Sequence, residues 1–194
     1  SHLGAIERGL RDGDAAGASR RLADWLGEAP LSDEPGATAR LAAEQGLREA
    51  HHGTFAILFW YLVLPGPLGA VLYPLSQRAA RLWDASVEPE EREFGWFAGR
   101  AFEVLDWIPQ RVTAFVFAVV GNFEDALVCW RSQAAQWLHP GEGIVLASGA
   151  GALGIRLGDP VARGEAFVDR PALGSGEPAG EEALASLEGL LWRA

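Results

Sequence analysis

From Ala50 to Ser76 the chain carries no Asp, Glu, Lys or Arg, and that run limits the folds open to it. An uncharged stretch of this length belongs in lipid or in the buried middle of a protein. Its aromatic residues Phe59, Trp60, Tyr61 and Tyr73 suit anchoring at a membrane interface. Pro65-Gly66-Pro67 interrupts it. Residues 54–64 provide about 16 Å of helix at 1.5 Å per residue, roughly half a hydrocarbon core. A straight span is therefore excluded. Two half-length helices meeting at a proline turn make either a re-entrant hairpin or the centre of a helical domain.

A second stretch, residues 100–131, constrains the rest. Arg100, Phe102, Leu105 and Trp107 fall near helical spacing up to Ile108, which precedes Pro109. The residue before a proline is pushed towards extended geometry, so one helix should stop at Ile108 and another begin at Pro109. No charge occurs from Val112 to Phe123. Gly121 is then expected just past a helix end, with Asn122 as the N-cap of the next helix. Asp125 can reach back to that cap, and Glu124 adds negative charge to the first turn. No sustained alternation of apolar and polar residues is present, so the expected fold is all-α. Its apolar centre is expected to be the 53–75 hairpin packed on a 112–120 helix.

The flanks are more ordinary. Leu3, Ile6 and Leu10 make one helical stripe and Leu22, Trp25 and Leu26 another, with a turn at 12–14 and Asp14 as N-cap. A helix is expected from about Ala37 towards His51, with Arg40, Glu44, Arg48 and Glu49 as its solvated face. The organisation expected is one helical domain over 1–160 and a poorly ordered Gly-, Pro- and Glu-rich linker over 161–180. An amphipathic helix over 181–194 follows, its apolar side formed by Leu184, Leu187, Leu190, Leu191 and Trp192.

At 194 residues the chain can bury a real core. Its net charge of −10 argues against general affinity for nucleic acid. The single cysteine, Cys129, permits no internal disulfide and reads as a buried, inert thiol.

Gly149-Ala150-Gly151-Ala152-Leu153-Gly154 fits GxGxxG, but Gly158-Asp159-Pro160 ends any following helix at once and no βαβ repeat surrounds it. Small residues spaced for tight helix packing explain it better. His51 and His52 are adjacent, which on an α-helix turns them about 100° apart, and no spaced partners make a ligand set. No metal, cofactor or catalytic residue is expected. The charged and polar groups at the joints, Asp106, Arg111, Asn122, Glu124, Asp125 and Arg131, are the candidates for contact with a small polar ligand. Arg156 can join them from the glycine-rich segment, since Arg suits phosphate or carboxylate.

The segment VLDWIPQRVTAFVFAVVGNFEDALVCW, with GTFAILFWYLVLPGPLGAVLY (53–73) and ASGAGALGIRLGDP (147–160), resembles the CobD/CbiB family of bacterial inner-membrane proteins. The likeness runs from about Ile6 to Gly158 and falls nearest the AmpE branch. The family's synthases join an amino-propanol phosphate to a corrinoid acid by ATP-linked amide ligation. They carry Ala-Glu-Asn before the hairpin, Asn-Thr-x-Asp after it, and Ser-Pro-Asn-Ala-Gly before the "AGALG" segment. Here those places read Glu49-Ala50-His51-His52-Gly53, Pro74-Leu75-Ser76-Gln77-Arg78 and His139-Pro140-Gly141-Glu142-Gly143. The AmpE resemblance implies a non-enzymatic membrane protein of cell-wall sensing and β-lactamase induction, cut from a longer chain. It would sit at the inner membrane, partly cytoplasmic, against lipid or neighbouring membrane helices. The alternatives are a corrinoid amide ligase and a helical binding domain without catalysis.

Overall fold

The computed structural model describes residues 2–27, 34–84, 89–163, 166–168 and 170–194. It is 80% helical, as the absence of period-2 patterning leads one to expect. Nine α-helices are found among the described residues: α1 (His2–Arg11), α2 (Ala15–Leu26), α3 (Pro35–Ala50), α4 (Ala56–Val63), α5 (Leu68–Asp84), α6 (Pro89–Val120), α7 (Phe123–Gln133), α8 (Pro140–Leu153) and α9 (Glu181–Arg193). A π-helical turn, His51–Phe55, joins α3 to α4 without a break. Among the described residues no helix is long and apolar enough to cross a membrane.

The chain divides into two compact units, Ser1–Arg48 with Ala114–Ala194, and Glu49–Thr113. In the first, α8 is buried from Gly143 to Ala152, which its lack of charge after Glu142 permits. Gly151 is required there by a close approach: a Cβ on it would lie 2.6 Å from the Asp125 carbonyl oxygen. The GxGxxG run thus serves helix packing. Leu184, Leu187 and Leu190 of α9 are fully buried, whereas Trp192 is 89% exposed and stands off the stripe assigned to it.

Local signals set the helix starts in this unit. Asp14 accepts from the Gly17 amide at 2.9 Å and caps α2. Asn122 caps α7, accepting from the Asp125 amide at 3.2 Å and donating to the Asp125 carboxylate at 2.8 Å.

Beyond α8 the described residues of the 155–178 stretch are not helical. Strand β1 (Ile155–Leu157) pairs antiparallel with β4 (Leu173–Gly174) and parallel with β5 (Glu177–Pro178), and β2 (Val161–Arg163) pairs with β3 (Ala166–Val168). Two small sheets thus occupy much of the stretch that composition marks as a linker. Sequence alone gives no warning of them, because strands of two or three residues are too short to show a period.

Glu44, expected on a solvated face, is fully buried. Its carboxylate accepts from Arg170 at 2.7 Å, from the Gly158 amide at 3.1 Å and from Arg48 at 3.4 Å. Arg48 also pairs with Glu142. A buried carboxylate is stable only when partnered in this way.

In the second unit α4 and α5 form the hairpin that Pro65-Gly66-Pro67 demands. Leu64 is extended, at φ −93° and ψ 141°, as a residue before proline should be. Gly69 allows the two helices to touch, since a Cβ there would lie 2.0 Å from the Trp60 carbonyl oxygen.

Two expectations fail here. The hairpin is not a buried centre: Leu58, Tyr61, Leu62, Val63, Leu68, Val71, Leu72 and Leu75 are all exposed. Nor does a helix end at Ile108, because α6 continues through Pro109 for 32 residues in all. Proline forfeits one backbone bond, the one its missing N–H would make to the Leu105 carbonyl. The Trp60 indole N–H donates to that carbonyl at 3.2 Å and replaces the bond.

Candidate functional site

Helix α6 presents Phe102, Asp106, Gln110 and Thr113 at spacings of three and four, so they share one face. Asp106 and Thr113 are buried on it. An aspartate placed there must find donors, and it finds them within the same unit. Its Oδ1 accepts from the Tyr73 hydroxyl at 2.7 Å and lies 3.0 Å from Nε2 of His51. Its Oδ2 accepts from Gln110 at 2.6 Å.

His51 is itself buried, with Nδ1 2.9 Å from the Thr113 hydroxyl. His52 is half-buried, with Nδ1 2.8 Å from the Tyr73 oxygen. The Tyr73 proton goes to Asp106, so His52 Nδ1 must carry the proton shared with Tyr73. The order is therefore His52, Tyr73, Asp106, His51, Thr113, each bonded to the next.

The π-turn is what puts both imidazoles here. On a regular α-helix consecutive side chains diverge; in this wider turn the two rings lie 4.7 Å apart, centroid to centroid. Sequence reasoning set the histidines aside on α-helical geometry, and that geometry does not apply at His51–Phe55. One ring nitrogen from each histidine and one Asp106 oxygen lie within 4.8 Å of one another.

Electrostatics follow from burial and these bonds. Burial alone would raise the Asp106 carboxyl. The His51 hydrogen bond and charge, with smaller contributions from His52 and Tyr73, outweigh it and hold the group below the usual carboxylate range. Tyr73 is pushed far above its ordinary value, first by burial and then by the negative charge of Asp106. The arrangement holds an ionised carboxylate beside a phenol that stays protonated.

The sequence matches the family described as CobD/Cbib protein over residues 1–188. The chain belongs to the CobD/Cbib family. A protein of Chromobacterium violaceum named cobalamin biosynthesis protein CobD is 37% identical over 177 residues, 90% of this chain and 55% of that relative. One of Stutzerimonas stutzeri with the same name is 38% identical over 176 residues, 90% of this chain and 57% of the relative. A Rhodobacter capsulatus protein of that name is 30% identical over 184 residues. The chain thus spans little more than half the length of these relatives. No solved structure matches.

These names overturn the AmpE assignment, and with it the reading as a β-lactamase signalling protein. The segments that carry the AmpE likeness are shared across the CobD/Cbib scaffold, and a shared scaffold does not fix which function a member has.

Of the residues expected to meet a ligand, only Asp106 enters the buried cluster. Arg111, in the same unit, lies with its guanidinium 3.9 Å above the Trp107 ring and donates to the Trp107 carbonyl at 2.6 Å. The other five belong to the other unit. Asn122 and Asp125 cap α7, with Glu124 in its first turn. Arg131 is exposed, and Arg156 donates to Asp159 at 3.2 Å. Cys129 is buried, and burial pushes its thiol up. The cluster members that sequence reasoning missed as site residues are His51, His52, Tyr73, Gln110 and Thr113. The adjacent histidines were their one visible signal.

Proposed function

We propose that this chain is part of a cobalamin biosynthesis protein and works in the ATP-dependent amide ligation that completes a corrinoid side chain. The observation that carries the reading is 37–38% identity to two proteins named CobD across 90% of the chain. It stands despite the missing Ala-Glu-Asn, Asn-Thr-x-Asp and Ser-Pro-Asn-Ala-Gly signatures. The first of those stretches is where His51 and His52 lie, so the polar chemistry there has been replaced. In this reading the corrinoid acid and the amino-propanol phosphate are the substrates. The His51–Asp106–Tyr73 cluster is the fixed, ionised centre of the Glu49–Thr113 unit. The same reading sets this region against the inner membrane, supported by the exposed apolar side chains of α4 and α5.

The test is a chimera in which this chain replaces the matched half of the Chromobacterium violaceum relative. It is expressed in a strain that lacks cobinamide-phosphate synthase. Growth on a corrinoid precursor is the expected result. A chimera that accumulates normally and does not rescue growth overturns the proposal.

A further inference from the structure

The geometry points to a metal site: we propose that His51, His52 and Asp106 bind one divalent transition-metal ion of the zinc type. Two imidazole nitrogens and one carboxylate oxygen form the donor set of an open zinc site, in which a fourth position is left for water or substrate. Zinc bonds of about 2.0–2.2 Å require donors no more than ~4.4 Å apart. Here the donors lie within 4.8 Å, and His51 Nε2 is already 3.0 Å from Asp106 Oδ1. Small side-chain rotations close the remainder.

The atoms behind the donors have the partners expected of ligand residues. The outer nitrogen of His51 faces the Thr113 hydroxyl at 2.9 Å, and the outer oxygen of Asp106 is held by Gln110 at 2.6 Å. Such outer contacts fix ring orientation and tautomer at metal-bound imidazoles. With Nε2 of His51 on the metal, its remaining ring proton sits on Nδ1 and is donated to Thr113. The Tyr73 hydroxyl, 2.7 Å from Asp106 and 2.8 Å from His52, bonds two of the three donor residues and fixes them relative to each other.

A buried hydrogen-bonded core is the competing account. It explains the bonds of Asp106, but it gives no reason for a π-turn that brings two successive imidazoles and one carboxylate within 4.8 Å of one another. π-turns of this kind recur at functional sites. His52 is half-buried, and the exposed Gly53 and Thr54 beside it leave a path for an ion.

Titration of the purified full chain with Co2+ tests the site, through the visible d–d bands of a nitrogen- and oxygen-ligated ion. One saturable equivalent, displaced by Zn2+, is expected. His52→Ala should abolish it, and Thr113→Ala should weaken it about 10–100-fold. Arg111→Ala should bind as the parent does. His52→Ala is the deciding variant, because its half-buried ring can be removed with little effect on folding. Circular dichroism checks that the helices persist. No saturable binding by the parent chain, or undiminished binding by a folded His52→Ala, overturns the proposal. The result does not depend on growth rescue by the chimera, so the two proposals fail separately.

Discussion

Tyr73 and Asp106 share one hydrogen bond, and their ionisations pull stability in opposite directions along the pH axis. Asp106 is held below its ordinary 3.8. Its contribution is therefore complete above that value and is lost as pH falls from there through the folded-state value. Tyr73 is raised above its ordinary 10.0. The unfolded chain then ionises first, and stability declines as pH climbs past 10. Replacing Tyr73 by Phe separates the two. It removes one donor from a buried carboxylate and should cost about 1–3 kcal/mol near neutrality. It should also move the acid limb to higher pH, because Asp106 loses a bond that lowers it, and flatten the alkaline limb. Urea midpoints measured across the pH range read all three effects. An alkaline decline that persists unchanged in Tyr73→Phe would remove Tyr73 as its source.

Helix α6 shows how an element can pass through a residue that should end it. A proline in a helix interior costs about 3 kcal/mol, in part through an orphaned carbonyl. Here Trp60 from α4 takes up the Leu105 carbonyl. Trp60→Phe should therefore destabilise the chain by about 1–3 kcal/mol. In a Pro109→Ala background Leu105 recovers its intrahelical partner, and the cost of Trp60→Phe should fall by about 1 kcal/mol. Strict additivity in that double-mutant cycle would sink the assignment.

The same contrast between near and far partners explains what could be read from sequence. The caps at Asp14 and Asn122 use residues three positions away, and both stand where the spacing puts them. The proline hairpin was legible for the same reason. Trp60 and Leu105 are 45 residues apart, Tyr73 and Asp106 33, His51 and Asp106 55, and Glu44 and Arg170 126. No local pattern encodes such partners. Glu44 accordingly reads as part of a solvated face and His51 as no part of a site, although each is the buried polar centre of its neighbourhood.

At the scale of the compact unit, Glu49–Thr113 buries a polar cluster at His51, Asp106 and Thr113 while many of its large apolar side chains are exposed. In the Glu49–Thr113 unit Leu62 and Val104 are about 70% exposed, at 73% and 69%. Trp107 and Ile108 are exposed on the same helix that buries Asp106. Soluble monomers rarely leave so many large apolar side chains in water, so a surface of this kind needs a covering. No helix among the described residues can cross a bilayer, but helices of half-span length can lie in its interface with one face in the acyl region. A net charge of −10 opposes general electrostatic attraction to anionic lipid, so affinity carried by the apolar side chains is expected to be insensitive to salt. The chain expressed in a bacterial host should sediment with membranes, remain there in high salt and be released by mild detergent. Leu62→Glu combined with Val104→Glu should move it to the soluble fraction without loss of helical content. Release by salt alone, or no effect of the two charges, would rule out apolar insertion of this unit.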